Sequence, residues 1–316
     1  MTERIVVVGA TGAIGRPLCE RLIRSGYQVV VFTRDAERAK QVVIDADSYV
    51  PWAPEELSTE AIAQLGSADA VVYLAGAPLF DGRRHTRGDV EHETAARVRG
   101  IETLVTGLAE RPRPGRTLIS ASSIGYYGHA DRADDPIDES HSAGTDWWGQ
   151  SSAAIERSAF AAQHDGIRTV VVRTAYVLTA DSLQAQVAQL QRGFGGWIGL
   201  GQRWTPWIHI ADEIEIIIAA LERTELQGPL NASAPNPVRA REFARSLGRA
   251  IGHRAWLPVP TPLARMGLGV VTDIITRGKR VVPGALTSKG FRFAFTTLDD
   301  ALGDLLSTPT RNTVTP

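Results

Sequence analysis

An α/β chain built on a doubly wound parallel sheet is predicted by three observations. Short β-branched runs alternate with longer amphipathic stretches over roughly the first 180 residues. The first of those runs ends in a glycine-rich turn that opens a helical pattern. Beyond that region the texture shifts to helical stretches broken by Gly-, Trp- and Pro-rich links, which predicts a smaller, mostly helical C-terminal region.

Taken in order, strands are expected at 5–8 (Ile-Val-Val-Val), 29–33, 70–74, 117–120 and 168–173. Helices are expected between them at 14–25, 35–41, 87–110 and 147–165. Strands separated by helices must run parallel with helices on both faces, and such sheets bind ligands at the carboxyl ends of their strands. Further helices are expected at 183–193, 211–223 and 239–251, before the link Leu257-Pro-Val-Pro-Thr-Pro262 and a last helical segment. The expected division is a dinucleotide-binding domain over 1–180, to which the chain returns around 203–232, and a C-terminal region over 181–306. A Thr/Pro-rich tail at 307–316 is expected to be flexible.

With 43% hydrophobic and 22% charged residues and a formal net charge of −1, the 316-residue chain has the composition of a packed protein without a basic footprint for nucleic acid or a membrane surface. No apolar run approaches the ~20 residues of a membrane helix. Met1-Thr-Glu-Arg4 runs straight into the first strand and leaves no room for a signal peptide, and the single Cys19 cannot pair within the chain. A cytoplasmic setting is the expectation. The seven His residues show no i,i+4 pair, so no metal site is expected, and no Gly-x-Ser-x-Gly elbow follows a strand.

The sequence Gly9-Ala-Thr-Gly-Ala-Ile-Gly15 lies between the first strand and the first helix. Gly9 permits the tight turn, Gly12 lets backbone approach a pyrophosphate, and Gly15 lets helix pack on strand. With Thr11, Ala13 and Ile14 they form the expected phosphate cradle at the positive end of a helix. An NAD-binding chain places an acid at the tip of its second strand. Here the tip is Thr33-Arg34, with Arg38 one helical turn further on, which suits the 2′-phosphate of NADP(H). The alternative is a solvated Arg34 with Asp35 serving the ribose as an N-cap. Ala75-Gly76-Ala77, after the strand at 70–74, would let backbone approach the cofactor, and Ser120 and Ala121 at the end of the strand at 117–120 complete the expected set.

Together GATGAIG, Thr33-Arg34, Leu74-Ala-Gly-Ala-Pro78, Ile119-Ser-Ala-Ser-Ser-Ile-Gly-Tyr-Tyr-Gly128 and Gly201-Gln-Arg-Trp-Thr-Pro-Trp-Ile-His-Ile-Ala-Asp212 resemble the extended and atypical short-chain dehydrogenase/reductase superfamily. More closely, the chain is similar to its epimerase-family branch, whose small C-terminal domain carries a pattern like Leu257-Pro-Val-Pro, Val281-Val-Pro and Gly290-Phe-Arg-Phe. The resemblance is collinear over roughly residues 3–306. It implies a Rossmann-type fold with NADP(H) bound and a substrate site closed by the C-terminal third.

The resemblance also locates what is missing. Ser123 falls where the superfamily uses Ser or Thr to hydrogen-bond a substrate oxygen. Its dehydratases carry an Asp-Glu pair just after, where this chain has Ile124 and Gly125. The superfamily's proton donor is a Tyr four residues ahead of a Lys that lowers its pKa. Counting from Glu156, those slots hold Trp148 and Ser152. No shift of register restores the pair, because no Tyr lies between Tyr127 and Tyr176 and the only lysines are Lys40, Lys279 and Lys289. An indole cannot act as a proton donor of this kind.

Tyr126 is the preferred substitute, ahead of Tyr127, whose Tyr-Gly context also suits a buried structural role. His129 and His141 lie on the adjoining loop. Arg84, Arg97 and Arg173 could bind an anion or form structural ion pairs. Trp147, Trp148, Trp204, Trp207 and Tyr127 are the expected substrate-pocket residues, since five of the seven Trp (147, 148, 197, 204 and 207) come from two segments expected to face the site. His209 and Asp212 are expected to knit the next helix start, Asp212 as its N-cap.

The leading functional expectation is therefore an NADP(H)-dependent oxidoreductase on a small, largely apolar or ring-containing carbonyl, alkene or imine. Ser123 would polarise the substrate, and Tyr126 or a loop-held water would supply the proton. The alternatives are a non-redox isomerase or cyclase in the same pocket, and a non-catalytic NADP(H)-sensing protein.

Overall fold

The computed structural model describes residues 3–77, 84–128, 134–193, 195–270, 272–273 and 278–307. His129, Pro78 of the LAGAP motif and the tail beyond 307 lie outside the described residues.

Seven parallel strands form the central sheet in the order β10-β6-β5-β4-β1-β2-β3. They are β1 (Arg4–Val8), β2 (Gln28–Thr33), β3 (Ser48–Pro51), β4 (Ala70–Tyr73), β5 (Thr117–Ser123), β6 (Arg168–Thr174) and β10 (Gly228–Ala232). β1 sits between β2 and β4, with Val6 level with Val30 on one side and Val71 on the other. The strand order reverses there, and the crevice at that switch point is where such sheets place a ligand. The predicted α/β doubly wound class is the class observed.

Helices α1 (Gly15–Arg24) and α7 (Ile210–Glu222) cover one face, burying Leu18, Leu22, Ile216 and Ile217 against Val7 and Val31. The other face is covered by α3 (Thr59–Ser67), α4 (Arg87–Ala109) and α5 (Trp147–Phe160), through Leu65, Leu104, Leu108 and Ile155. Continuous Val/Ile runs in β1 and β2 are what a strand buried on both faces requires. Cys19 belongs to this packing: its thiol is pushed up to about 12, by burial and then by the charge of Glu20, which marks an inert position.

Two sheet strands and one helix fall outside the elements the sequence pattern predicts. β3 is four residues long, with Val50 its one buried residue. β10 reads Gly-Pro-Leu-Asn-Ala, a composition of loops; its Pro229 is tolerated because β10 is an edge strand. Helix α3 is capped by Ser58, whose side chain accepts from Ala61 N–H.

The later chain adds β7 (Tyr176–Leu178), which pairs with β9 (Trp207–His209), and β8 (Trp204–Thr205), which pairs with β11 (Val238–Arg239). Helices α2 (Ala36–Val42), α6 (Ala180–Gln191), α8 (Ala240–Ala250), α9 (Thr261–Leu268), α10 (Gly284–Ser288) and α11 (Leu298–Ser307) complete the described elements. A separate apolar cluster holds α6, α8 and α11 together through Leu183, Leu190, Phe243, Leu247, Leu298 and Leu302. No described helix is long and apolar enough to cross a membrane.

Candidate cofactor and substrate site

The glycine loop packs too tightly for side chains. Gly9 has φ +86°, and a Cβ on it would lie 2.7 Å from the Ala75 nitrogen; on Gly15 it would lie 2.1 Å from the Gly9 oxygen. β1 and β4 thus end backbone against backbone, and α1 begins under the turn. No side chain caps the amino end of α1 and no acid stands in its first turn, so its unpaired N–H groups and dipole are open to an anion. Thr11, Gly12 and Ala13 are exposed there and Ile14 is half-buried.

At the tip of β2, Arg34 and Arg38 are exposed and their guanidinium groups have no acceptor among the described residues. Asp35 is committed to α2, accepting from Arg38 N–H at 3.0 Å. That contact commits one carboxylate oxygen to the helix cap. The Thr33 hydroxyl stays local, accepting from Asp35 N–H at 3.2 Å. This donor set fits a dinucleotide with a 2′-phosphate.

Across the crevice, Ala75 is half-buried and Gly76 and Ala77 are exposed, with Ala77 N–H donating to Glu93 at 2.6 Å. β5 runs three residues past its expected end, to Ser123. Ser120 therefore does not reach the sheet's edge: it lies level with Tyr73 and Val171 and is 1% exposed. Ala121 is the half-buried neighbour, its carbonyl accepting from Arg97 at 2.5 Å. Arg97 thus braces the strand end, while Arg84 is exposed.

Ser123 is half-buried at the carboxyl end of β5. Its Oγ accepts from Gly125 N–H at 2.9 Å, which leaves the hydroxyl proton to donate. A Cβ on Gly125 would sit 3.1 Å from Ser123 Oγ and 3.4 Å from Ser152 Oγ, so the two hydroxyls flank the same glycine. Tyr126 is half-buried with no hydrogen bond to its phenol among the described residues, and the Arg173 guanidinium lies 3.5 Å from its ring centre.

Tyr127 is not a pocket residue. It is 4% exposed, donates to Asn231 Oδ1 at 2.7 Å and accepts from Arg173 at 2.9 Å. Burial pushes its phenol up, against the pull of Arg173. Arg173 in turn makes a two-pronged pair with Glu156, at 2.9 and 2.8 Å, and Ser122 donates to the same carboxylate at 2.8 Å. Asn231 continues the chain of contacts to Val282 O at 3.0 Å. Glu139 accepts from both Asn231 N–H at 2.8 Å and Ala285 N–H at 2.9 Å. This buried network ties β5, α5, β6 and β10 to the C-terminal segment, and it makes Arg173 a structural ion pair.

The tryptophans divide. Trp147 and Trp148 stack with ring centres 4.1 Å apart at the start of α5; Trp148 is buried and its indole N–H unpartnered, whereas Trp147 is half-buried with Arg87 5.8 Å from its ring. Trp204 is half-buried, donates to Asp134 at 3.1 Å and carries Arg239 4.0 Å from its ring centre. Trp207, by contrast, is fully buried with its N–H on Asn236 O at 3.2 Å, so it belongs to the α6–α8–α11 core and not to a pocket wall. Trp204 on β8 and Trp207 on β9 belong to two different small sheets, which bury them differently. Trp197 is buried against Arg241, 4.8 Å from its ring.

The next helix start also departs from expectation. His209 caps α7, its Nδ1 accepting from Ala211 N–H at 3.2 Å. Asp212 instead accepts from Ala294 and Phe295 N–H at 2.7 and 3.0 Å, fixing the C-terminal segment. His141 pairs with Asp138 at 3.0 Å on the surface.

Two titratable groups escaped sequence reasoning. Glu213 is 1% exposed, its carboxyl raised to about 8 by burial, against a hydrogen bond from Thr174. Lys279 is 8% exposed and its ammonium lowered to about 8 by burial, against the charge of Asp146. The rarity of lysine in this chain was the one sequence signal for the latter. An open cleft of about 820 Å³ lies at the amino-terminal end of the strands, among Glu3, Tyr27, Asp69 and Glu222. That end of the sheet is away from the glycine turn and carries none of the groups above.

Comparisons with known proteins agree with this layout. Residues 5–232 match the model of the NAD dependent epimerase/dehydratase family, and residues 259–305 match a domain of unknown function, DUF1731. The chain is 30% identical over 307 residues to the epimerase family protein YfhF of Bacillus subtilis, covering 96% of this chain and 98% of that one. It is 32% identical to a chloroplastic SDR39U1 homologue of Arabidopsis thaliana, covering 94% and 85%. Among solved structures, the human epimerase family protein SDR39U1 with NADPH superposes with TM-score 0.83 at 26% identity, covering 97% of this chain and 100% of that one.

Proposed function

As a member of the NAD-dependent epimerase/dehydratase family, the chain, we propose, binds NADP(H) and acts as an oxidoreductase on a small, largely apolar or ring-containing substrate, without the superfamily's Tyr–Lys pair. One observation carries the cofactor reading: a glycine turn with no room for a Cβ at Gly9 or Gly15 lies beside two unpaired arginines, Arg34 and Arg38, at the tip of the neighbouring strand. The NADPH in the human relative's structure supports it.

Bound NADPH supplies hydride; the chain's residues bind, orient and protonate. The α1 amino end holds the phosphates, and Arg34 and Arg38 hold the 2′-phosphate. Ser123 polarises the substrate oxygen or nitrogen through a hydrogen bond from its hydroxyl, and Tyr126, whose phenol is unspent, or a water on the same loop delivers the one proton. Reduction of an imine or conjugated alkene asks less of a fixed acid than reduction of a ketone.

Anaerobic mixing with NADPH and a panel of carbonyls, enones and imines tests the redox step. Consumption of NADPH at 340 nm that falls at least tenfold in Tyr126→Phe is expected, and no turnover across the panel overturns it. A second reading, a non-redox isomerisation over a structural cofactor, is favoured by Trp148 and Ser152, which leave both slots of the usual relay buried and without a titrating group. A product that still forms with a non-transferring NADPH analogue selects it.

A further inference from the structure

Glu213 holds the one buried carboxyl oxygen without a partner among the described residues: the side chain is 1% exposed and its Oε2 meets no donor. A carboxylate held in that way is strongly disfavoured, so the group is neutral at rest. Its other oxygen accepts from the Thr174 hydroxyl at 2.7 Å. Burial raises the carboxyl to about 8, against the Thr174 bond. Charged groups on the elements packed against α7 are engaged elsewhere. Arg21 of α1 pairs with Glu215 at 2.7 Å, and Arg173 of β6 pairs with Glu156 on the opposite face of the sheet. Arg168, at the amino end of β6, donates to the carbonyls of Ala220 and Leu226. His209 of β9 lies 3.3 Å from Asp304, and Asp212 is spent on Ala294 and Phe295.

Thr174 brings this carboxyl to the carboxyl end of the sheet. It is half-buried, ends β6, and lies level with Ser123, which ends β5. Level residues of parallel neighbours share a face, here the one on which Ile119, Val170 and Val172 pack with Ile214 and Ile217 of α7. With strands about 4.8 Å apart, one water or substrate atom can meet both hydroxyls. The strand order also gives the cofactor its direction. A dinucleotide with its 2′-phosphate at β2 and its pyrophosphate at β1 continues over β4 toward β5 and β6, so its nicotinamide half falls on the side of Thr174.

We propose that Glu213 is a cofactor-linked proton store: its carboxyl is protonated beside the neutral ring of NADPH and gives up its proton, through the Thr174 hydroxyl, beside the cationic ring of NADP⁺. This rests on the NADP(H) oxidoreductase reading and deepens it by naming where the proton comes from. As hydride passes to the substrate, Tyr126 or the loop water gives the substrate one proton. Glu213 replaces that proton by way of Thr174, whose hydroxyl gains one as it passes one on. The carboxylate left behind balances the positive charge of the oxidised ring, and solvent reprotonates it once the oxidised cofactor leaves.

Proton counting on cofactor binding tests this without turnover. NADP⁺ and NADPH are titrated into the full chain by calorimetry at pH 7, in buffers of different ionisation enthalpy. Both carry the same 2′-phosphate, so its own titration cancels in the difference between them. A unit charge about 8 Å away changes the ionisation of a buried carboxyl about 30-fold at an effective dielectric of about 20. NADP⁺ is therefore expected to release about half a proton more than NADPH, and Glu213→Gln, which keeps the Thr174 contact, to reduce that difference below about a tenth. An NADPH affinity within about twofold of wild type reports that the variant is folded. The wild-type infrared difference between the two complexes should also show the carbonyl band of a protonated carboxyl lost with NADP⁺. Equal proton release in the wild type overturns the proposal without recourse to any variant, as does a persisting carbonyl band or a proton difference that survives in Glu213→Gln. Binding of neither cofactor defeats the cofactor reading and the proposal with it. A proton difference without reductase turnover leaves the coupling standing and refutes only the redox step.

Discussion

The Glu156 and Arg173 side chains are 4% and 3% exposed, and their contacts decide whether Arg173 is architecture or an anion site. In Glu156→Leu the guanidinium loses its two bonds to the carboxylate, at 2.9 and 2.8 Å, and keeps one, to the Tyr127 oxygen at 2.9 Å. An uncompensated buried charge of this kind costs about 3–5 kcal/mol. Ser122 loses its acceptor as well, for about 1 kcal/mol more. Glu156→Leu is therefore expected to lower unfolding free energy by about 4–6 kcal/mol, read from urea melts with the m-value checked for two-state behaviour. The double variant Glu156→Leu/Arg173→Met removes both charges and is expected to recover most of that loss, because a buried pair replaced by apolar groups of similar volume is often near neutral. Tyr127 keeps its bond to Asn231 in the double variant. A single-variant loss under about 1 kcal/mol, or a double variant no more stable than the single, would refute the reasoning.

Two further outcomes follow from the same geometry. Glu213 has a folded pKa of about 8 against an ordinary 4.5, so its stabilising neutral form is fully present below about pH 4.5 and its contribution is lost as pH rises through 8. Glu213→Gln keeps the Thr174 contact without that titration, so its melting temperature should gain on the wild type between about pH 5 and 8 and level off above pH 8; parallel curves would contradict this. In Gly15→Ala the new Cβ meets the Gly9 oxygen at 2.1 Å, which must spread the turn and α1 apart. NADPH affinity should fall at least about tenfold, measured by quenching of Trp fluorescence, and full retention would show that the cradle is not the phosphate site.

What the sequence made legible was written in residue types that serve the backbone. Gly9 and Gly15 occupy positions where a Cβ would clash with backbone, and the Val-rich runs of β1 and β2 have no use except inside a sheet. Trp148 and Ser152 could be placed one turn apart on α5 because helical periodicity is local. What was illegible depended on distant partners. Arg173 and Glu156 meet only when β6 lies beside α5, and Tyr127 becomes structural through Asn231, 104 residues away. Trp204 and Trp207 read alike in sequence, yet β8 and β9 belong to different small sheets and bury the two differently. β10 was hidden by its Pro and Asn, which an edge position allows. Lys279 carried no motif at all; it is buried in a segment whose Gly278 abuts the Trp204 backbone, more than 70 positions earlier.

The central claim is that a dinucleotide with a 2′-phosphate occupies the crevice between β1 and β4. The most direct measurement is the dissociation constant of NADPH and of NADH for the wild type, Arg34→Ser and Arg38→Ser at fixed ionic strength. A guanidinium–phosphate contact is worth about 1.5–3 kcal/mol, or roughly 10- to 100-fold. NADPH should bind the wild type at least tenfold tighter than NADH, and Arg34→Ser should erase most of that preference while leaving NADH affinity unchanged. Equal affinities in the wild type, or a loss of NADH binding that matches the loss of NADPH, would contradict the account.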